Sequence, residues 1–181
     1  MNSDVQKPYD LITDFVTGRR IPDIGAEEHR QAVEKFLCEE KGYPIESIGV
    51  DVELTLEVRG EPYSGQLDLV ITLGGKPFMV IKCAAASLES REKEVISAAR
   101  LLNPGPAPYA VVSDGKTAVV YDAVERKKIG TGLSQIPPYD AAEQFMYAYD
   151  PEPIAEKHLE REKIIFRSYD SMNLNVQRSL K

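Results

Sequence analysis

The feature that most constrains the fold is a nearly all-apolar segment, residues 77–84 (PFMVIKCA), near the middle of the chain. The glycine pair Gly74-Gly75 precedes it and predicts a tight hairpin turn after another apolar segment, residues 66–73 (QLDLVITL). An apolar run of this length without alternation is typical of a strand that is covered on both faces. Residues 77–84 therefore predict a central strand of a sheet.

The segments around this strand predict a mixed α/β fold. Residues 26–40 carry apolar side chains at helical spacing, and residues 48–59 alternate between apolar and polar side chains as in a half-solvated strand. The remaining predicted elements are a helix over 88–102, strands over 109–113 and 117–121, and a helix from about 153 to 169. This order predicts an α/β domain with a mixed sheet, followed by C-terminal helices.

The chain of 181 residues divides into three predicted segments. Residues 1–24 form an irregular N-terminal segment with a short strand or hairpin around residues 11–16, residues 25–136 form the α/β domain, and residues 137–181 form a helical extension. The pair Pro137-Pro138 marks the exit from the domain core, since proline interrupts regular elements.

Composition excludes several classes of protein. The formal net charge of −7 and the pI of about 5.0 argue against a tight, non-specific DNA binder. The chain has neither a GxxxxGK[ST] phosphate loop nor a GxGxxG dinucleotide motif, and no apolar run reaches the roughly 18–20 residues of a membrane span. Without a signal peptide, and with Cys38 and Cys83 at unrelated positions, we expect a reduced, cytoplasmic protein with no membrane contact.

An ordered set of short motifs over about residues 20–130 resembles a known family. The motifs are AEEHRQAVEKFLCEEKGYP, SGQLDLVI, GGKPFMVIKCAA, SAARLL and PYAVVSDGKTAVVYD. They resemble the N-terminal nuclease domain of type I restriction enzyme R subunits, including short stand-alone bacterial relatives, within the PD-(D/E)XK superfamily. The resemblance implies a restriction-endonuclease-like αβββαβ core with a mixed sheet, here followed by a C-terminal helix.

The resemblance also implies a site for Mg²⁺, which prefers oxygen ligands and activates water for phosphodiester hydrolysis. In the family, the ligands are an aspartate on the second strand and a glutamate two residues before a lysine on the third, often assisted by a glutamate of the first helix. Asp68 matches the strand aspartate and Glu28 the helix glutamate, so these two are the predicted ligands if a metal is bound. The spacing Glu28, Ala32, Phe36 predicts that Glu28 lies on or beside the buried face of its helix.

The third-strand motif departs from the family pattern. Lys82 stands at the position of the glutamate and Ala84 at the position of the lysine, and strand periodicity places both on one face. A cation about 4 Å from Asp68 is attracted by roughly 4 kcal/mol at an effective dielectric constant near 20. We therefore predict that Lys82 pairs with Asp68 and replaces the metal; a snorkelling lysine on an edge strand is the alternative.

Arg30, Gln31 and Asp68 each also have a simpler interpretation. Arg30 and Gln31 are expected on the solvated surface, with contacts to phosphates near the cleft as the alternative. Asp68 has the alternative of an acid at a strand end that faces solvent.

Three functions follow from this set of residues. The first is a nuclease-like domain with a degenerate metal site, little or no cleavage activity and weak contact with DNA or with proteins of a restriction system. The second is an active Mg²⁺-dependent DNA endonuclease in which Asp68, Lys82 and Glu28 are the catalytic residues in a migrated arrangement. The third is a protein-interaction scaffold. The expected cofactor is accordingly none or Mg²⁺, and the sequence leaves the oligomeric state open.

Overall fold

The structure, a computed structural model, describes residues 9–85 and 87–179, and of residues 173–179 the helical backbone alone. Residues 1–8 of the predicted N-terminal segment and 180–181 of the extension lie outside the described residues. The strands are β1 (Leu11–Thr13), β2 (Arg20–Pro22), β3 (Ile48–Val58), β4 (Glu61–Leu73), β5 (Lys76–Cys83), β6 (Tyr109–Ser113), β7 (Ala118–Asp122) and β8 (Lys127–Thr131). The α-helices are α1 (Glu27–Glu39), α2 (Glu92–Arg100), α3 (Tyr139–Ala148) and α4 (Glu156–Ser179).

Strands β3 to β8 form a mixed sheet of six strands in sequential order. Only β5 and β6 pair in parallel, because α2 carries the chain back across the sheet between them. The other neighbours pair antiparallel, and β1 and β2 form a separate two-stranded hairpin. The predicted α/β class, mixed sheet and C-terminal helix are confirmed.

Both faces of the sheet are covered. Helices α2 and α4 pack on one face, in a cluster that includes Val80 and Phe166. Helices α1 and α3 contribute to the other cluster, which includes Ile81 and Leu37. Since β5 supplies Val80 to one cluster and Ile81 to the other, both of its faces are buried, which explains its unbroken apolar sequence.

The β3–β4 hairpin changes faces along its length. Val50 packs in the cluster with α1, whereas Val52, two residues later, packs in the cluster with α2 and α4. Asp51 between them has a φ of 53°, and the paired register passes from Val50 opposite Leu69 to Val52 opposite Leu67. The predicted simple alternation of β3 is therefore wrong at this point, because a left-handed residue interrupts the two-residue period.

Several element boundaries differ from those predicted. Strand β4 begins at Glu61 rather than Gln66, after a turn in which Arg59 and Gly60 both have positive φ. The helix predicted over 88–102 is a 3₁₀ turn at Leu88–Arg91 followed by α2. Strand β8 and helix α3 were not placed by the sequence, and α4 continues beyond residue 169. Within the described residues, no helix combines the length and the apolar composition that crossing a membrane requires.

Candidate functional site

The structure brings Asp68 and Lys82 together on adjacent strands. Because Leu69 pairs with Ile81 in the antiparallel β4–β5 register, the preceding and following residues become neighbours across the ladder. The Nζ of Lys82 lies 3.2 Å from Oδ1 of Asp68, and the two side chains are 19% and 22% exposed. Strand β5 is central in the sheet, so the alternative of a snorkelling lysine on an edge strand is wrong.

The backbone of β5 holds the second oxygen of the aspartate. The amide N–H of Cys83 donates to Oδ2 of Asp68 at 2.7 Å. Both carboxylate oxygens of Asp68 are therefore engaged by β5, one by an ammonium group and the other by a backbone amide. This double contact fixes the carboxylate against the neighbouring strand and removes the alternative of an acid that merely faces solvent.

A second acid, Glu94 of α2, also lies beside the lysine. Its Oε1 lies 3.5 Å from the Nζ of Lys82, and its Oε2 accepts from Nη1 of Arg91 at 3.3 Å. The Glu94 side chain is 4% exposed. The prediction from sequence missed this residue, although Glu94 precedes the inward-facing Ala98 by four positions and so shares its helix face.

The electrostatics keep Lys82 charged. Burial alone lowers the pKa of an amine, but attraction to Asp68 and Glu94 outweighs it and raises the pKa of Lys82 above its ordinary value. A cation therefore lies between the two carboxylates at neutral pH.

The space beside this group is small. A cavity of about 10 Å³, enough for one water molecule, is lined by residues of β4, β5, α2 and α4. Asp68, Lys82 and Glu94 line it together with Phe166 of α4. A phosphodiester is larger than one water molecule, so this cavity cannot hold one.

Glu28 does not lie where the sequence predicted. It is exposed, and the buried face of α1 is centred on Val33 and Leu37 instead. At 3.6 residues per turn, Glu28 projects about 140° away from Val33, which explains the error. The predicted position on or beside the buried face is wrong, and a metal-ligand role for Glu28 stays a prediction.

The polar residues that α1 does bury form a network with the β1–β2 hairpin. Nη1 of Arg30 lies 2.8 Å from both Asp14 and Glu34, and its Nη2 contacts Glu27. Gln31 donates to Asp14 at 3.1 Å. Arg30 and Gln31 are 4% and 8% exposed, so the expectation that they lie on the solvated surface is wrong.

The residues around Asp68 do not fit a magnesium ion. Mg²⁺ requires several oxygen ligands in near-octahedral geometry, whereas the ammonium of Lys82 lies within 3.5 Å of both local carboxylates. In the part of the chain that the structure describes, no group of three or more His, Cys, Asp or Glu side chains could hold a metal ion.

Comparison with known proteins gives one informative result. No curated protein and no solved structure matches the chain. The family model described as type I restriction enzyme R protein N terminus matches residues 25–137, and the αβββαβ order of elements is consistent with the PD-(D/E)XK nuclease superfamily. Because this match covers more than half of the 181 residues, the chain belongs to the family of type I restriction enzyme R protein N-terminal domains.

Proposed function

We propose that this protein is a nuclease-like domain whose metal site is degenerate, with little or no cleavage activity and at most weak contact with DNA. The observation that carries the proposal is the ammonium of Lys82 between the carboxylates of Asp68 and Glu94, at 3.2 and 3.5 Å. The ammonium balances part of their charge, as a metal ion would, but it offers no coordination position.

Cleavage of a phosphodiester by this superfamily's chemistry needs a cation that polarises the phosphoryl oxygen and lowers the pKa of a bound water. An ammonium group can attract a phosphate, but it cannot coordinate water as a Lewis acid. Both oxygens of Asp68 are also engaged by β5, Oδ1 by the ammonium of Lys82 and Oδ2 by the amide of Cys83, so a metal ion would have to displace the ammonium. The two carboxylates thus stabilise a lysine rather than a hydrolytic metal.

The net charge and the family support at most weak binding of DNA, and the family supports contact with other proteins of a restriction system. The net charge of −7 disfavours non-specific attraction to a polyanion. The other two functions that the sequence left open, an active endonuclease and a scaffold, are outcomes of the same test.

The test restores the family motif with the double substitution Lys82→Glu and Ala84→Lys. Three carboxylates would then surround the position now held by the ammonium, and we expect calorimetry to detect Mn²⁺ binding by this variant and none by the wild type. Lys128→Ala is the matched control, because it produces the same change in net charge as the double substitution, at an exposed position of β8.

Plasmid nicking and gel shift separate the remaining outcomes. Wild-type cleavage with Mg²⁺ that disappears in Asp68→Asn would overturn the proposal in favour of an active endonuclease. A protein that neither shifts nor cuts DNA, and shows a fixed oligomer by light scattering, would instead be a scaffold.

A further inference from the structure

A carboxylate of α4 occupies a pocket that three donors of the α/β domain form. Ser97 Oγ donates to Oε2 of Glu162 at 2.7 Å, and Arg100 Nε donates to Oε1 at 3.0 Å. Arg126 Nη1 donates to the same Oε1 at 2.5 Å. The Glu162 side chain is 3% exposed, so these contacts replace its hydration.

The domain orients one of these donors, Arg100, without help from α4. Nη1 of Arg100 donates to the carbonyl oxygens of Ala123 and Val124 at 3.0 and 2.7 Å, which fixes the plane of the guanidinium. Ser97 precedes Arg100 by three positions on α2, so the hydroxyl and the guanidinium share one helix face. Arg126 enters from the turn between β7 and β8. Arg100 therefore keeps its orientation if Glu162 is removed, and Ser97 remains beside it on α2.

Two guanidinium groups and a hydroxyl that converge on one anion are the donors that proteins use for phosphate groups. Ser97, Arg100 and Arg126 all lie within residues 25–137, which match the family, whereas Glu162 lies outside them. The family domain thus supplies the donors, and a following segment of this chain supplies the anion.

We propose that this pocket is a binding site for a phosphate group and that Glu162 fills it as an internal substitute, so that phosphate binding competes with the Glu162 contact. The site is separate from the Lys82 group, because its three donors converge on Glu162, whereas Lys82 contacts Asp68 and Glu94. It goes beyond the proposed function, since it requires neither a metal ion nor cleavage.

Helix α4 has other contacts that hold it when Glu162 is replaced. The Phe166 side chain is buried against Gly65 of β4, and Tyr63 donates to Oδ2 of Asp170 at 2.6 Å. A variant at Glu162 is therefore expected to keep α4 in place while it empties the pocket.

The test is thermal unfolding of Glu162→Ala in inorganic phosphate, compared with chloride at equal ionic strength. Binding to the folded state stabilises it by mass action, so we expect phosphate to raise the Tm of this variant by about 3 °C and to leave the wild type unchanged. Glu160→Ala is the control, because Glu160 is an acid of the same helix with a side chain that is 39% exposed.

A fluorescent DNA duplex distinguishes a nucleic-acid phosphate from a free one. Binding of the duplex by Glu162→Ala at least tenfold tighter than by the wild type, with affinity that falls steeply with salt, assigns the pocket to a nucleic-acid backbone. A response to inorganic phosphate alone assigns it to a small phosphorylated ligand.

Equal phosphate responses in Glu162→Ala and Glu160→Ala would overturn the proposal, as would a response that survives Arg126→Ala in the Glu162→Ala background. If Glu162→Ala does not fold, Glu162→Gln gives the same comparison with the side-chain shape retained. Metal-dependent nicking by the wild type would refute the proposed function and leave these results unaffected.

Discussion

The charged form of Lys82 is stabilised in its partly buried position because two carboxylates lie close to its ammonium group. Its side chain is 19% exposed, and its removal would leave Asp68 and Glu94 beside each other without the ammonium that lies between them. Loss of one partner from a buried ionic group costs more than the group itself contributes, because the remaining charges stay desolvated.

We therefore expect Lys82→Met to lower the free energy of unfolding by roughly 2–4 kcal/mol, less than a fully buried pair because the group is partly solvated. Urea denaturation measures the change. Lys128→Met, at an exposed position of β8, removes the same charge and should change stability very little. Equal urea midpoints for the two variants would contradict a structural role of the Lys82 group.

Of the two acids that contact Lys82, the sequence predicted one and missed the other. The pairing of Lys82 with Asp68 could be predicted, because strand periodicity and strand order determine which side chains meet across β4 and β5. Glu94 could not be identified from its residue type, since an acid in the first turn of a helix is ordinarily explained by the helix dipole. Glu28 was misplaced because the prediction aligned it with Ala32 and Phe36, whereas the fully buried side of the stripe is that of Val33 and Leu37.

Among the elements, α4 is positioned by close contact with a strand. A Cβ at Gly65 of β4 would lie 2.6 Å from Cε1 of Phe166 and 2.8 Å from Oδ2 of Asp170. Glycine at this position therefore allows the helix to approach the strand backbone, and any side chain would force the two apart.

Gly65→Ala is expected to destabilise the protein by roughly 1–3 kcal/mol through overpacking. Hydrogen exchange should become faster in α4 and remain slow in β5 and β6. Gly105→Ala is a suitable control, since a Cβ there would meet its nearest neighbour, Pro151, at an ordinary 3.7 Å. Unchanged exchange in α4 would show that the helix does not depend on this approach.

The elements that the sequence missed lack the usual hydrophobic signals. Strand β8 (KKIGT) is an edge strand with mostly exposed residues, so it has no buried alternation. The first part of β4 (EPYSG) contains proline, serine and glycine, which are typical of loops, and only pairing with β3 makes it a strand. The apolar segments of β5, β6 and β7 have a clear pattern and were predicted within one residue at each end.

Two buried acids, Glu34 and Glu162, make the stability of the whole molecule depend on pH in opposite directions. Burial raises the pKa of Glu34 from 4.5 to about 7; Asp14 adds to this shift and Arg30 opposes it. The folded state therefore retains a proton that the unfolded chain releases above pH 4.5, so the contribution of Glu34 to stability is lost as the pH rises to about 7.

The pKa shift of Glu162 has the opposite direction, because hydrogen bonds from Ser97 and Arg126 outweigh burial and lower its pKa. Its contribution is present above pH 4.5 and is lost as the pH falls through the lowered pKa.

We expect Glu34→Gln to gain stability relative to the wild type by roughly 2–3 kcal/mol between pH 4.5 and pH 8, at 1.36 kcal/mol for each unit of the pKa shift. Urea denaturation at several pH values measures this difference. Glu28→Gln, on the exposed side of the same helix, is the matched control for the loss of a carboxylate. A stability difference that does not vary with pH would mean that Glu34 titrates normally.

The change of face at Asp51 has a consequence for how this domain comes apart. The same two strands, β3 and β4, contribute Val52 and Leu67 to one hydrophobic cluster and Val50 and Leu69 to the other. Neither pair of helices can detach together with part of the sheet, because the β3–β4 hairpin packs against both pairs. Melting is therefore expected to proceed as one concerted event across the two hydrophobic clusters, although the sheet separates them.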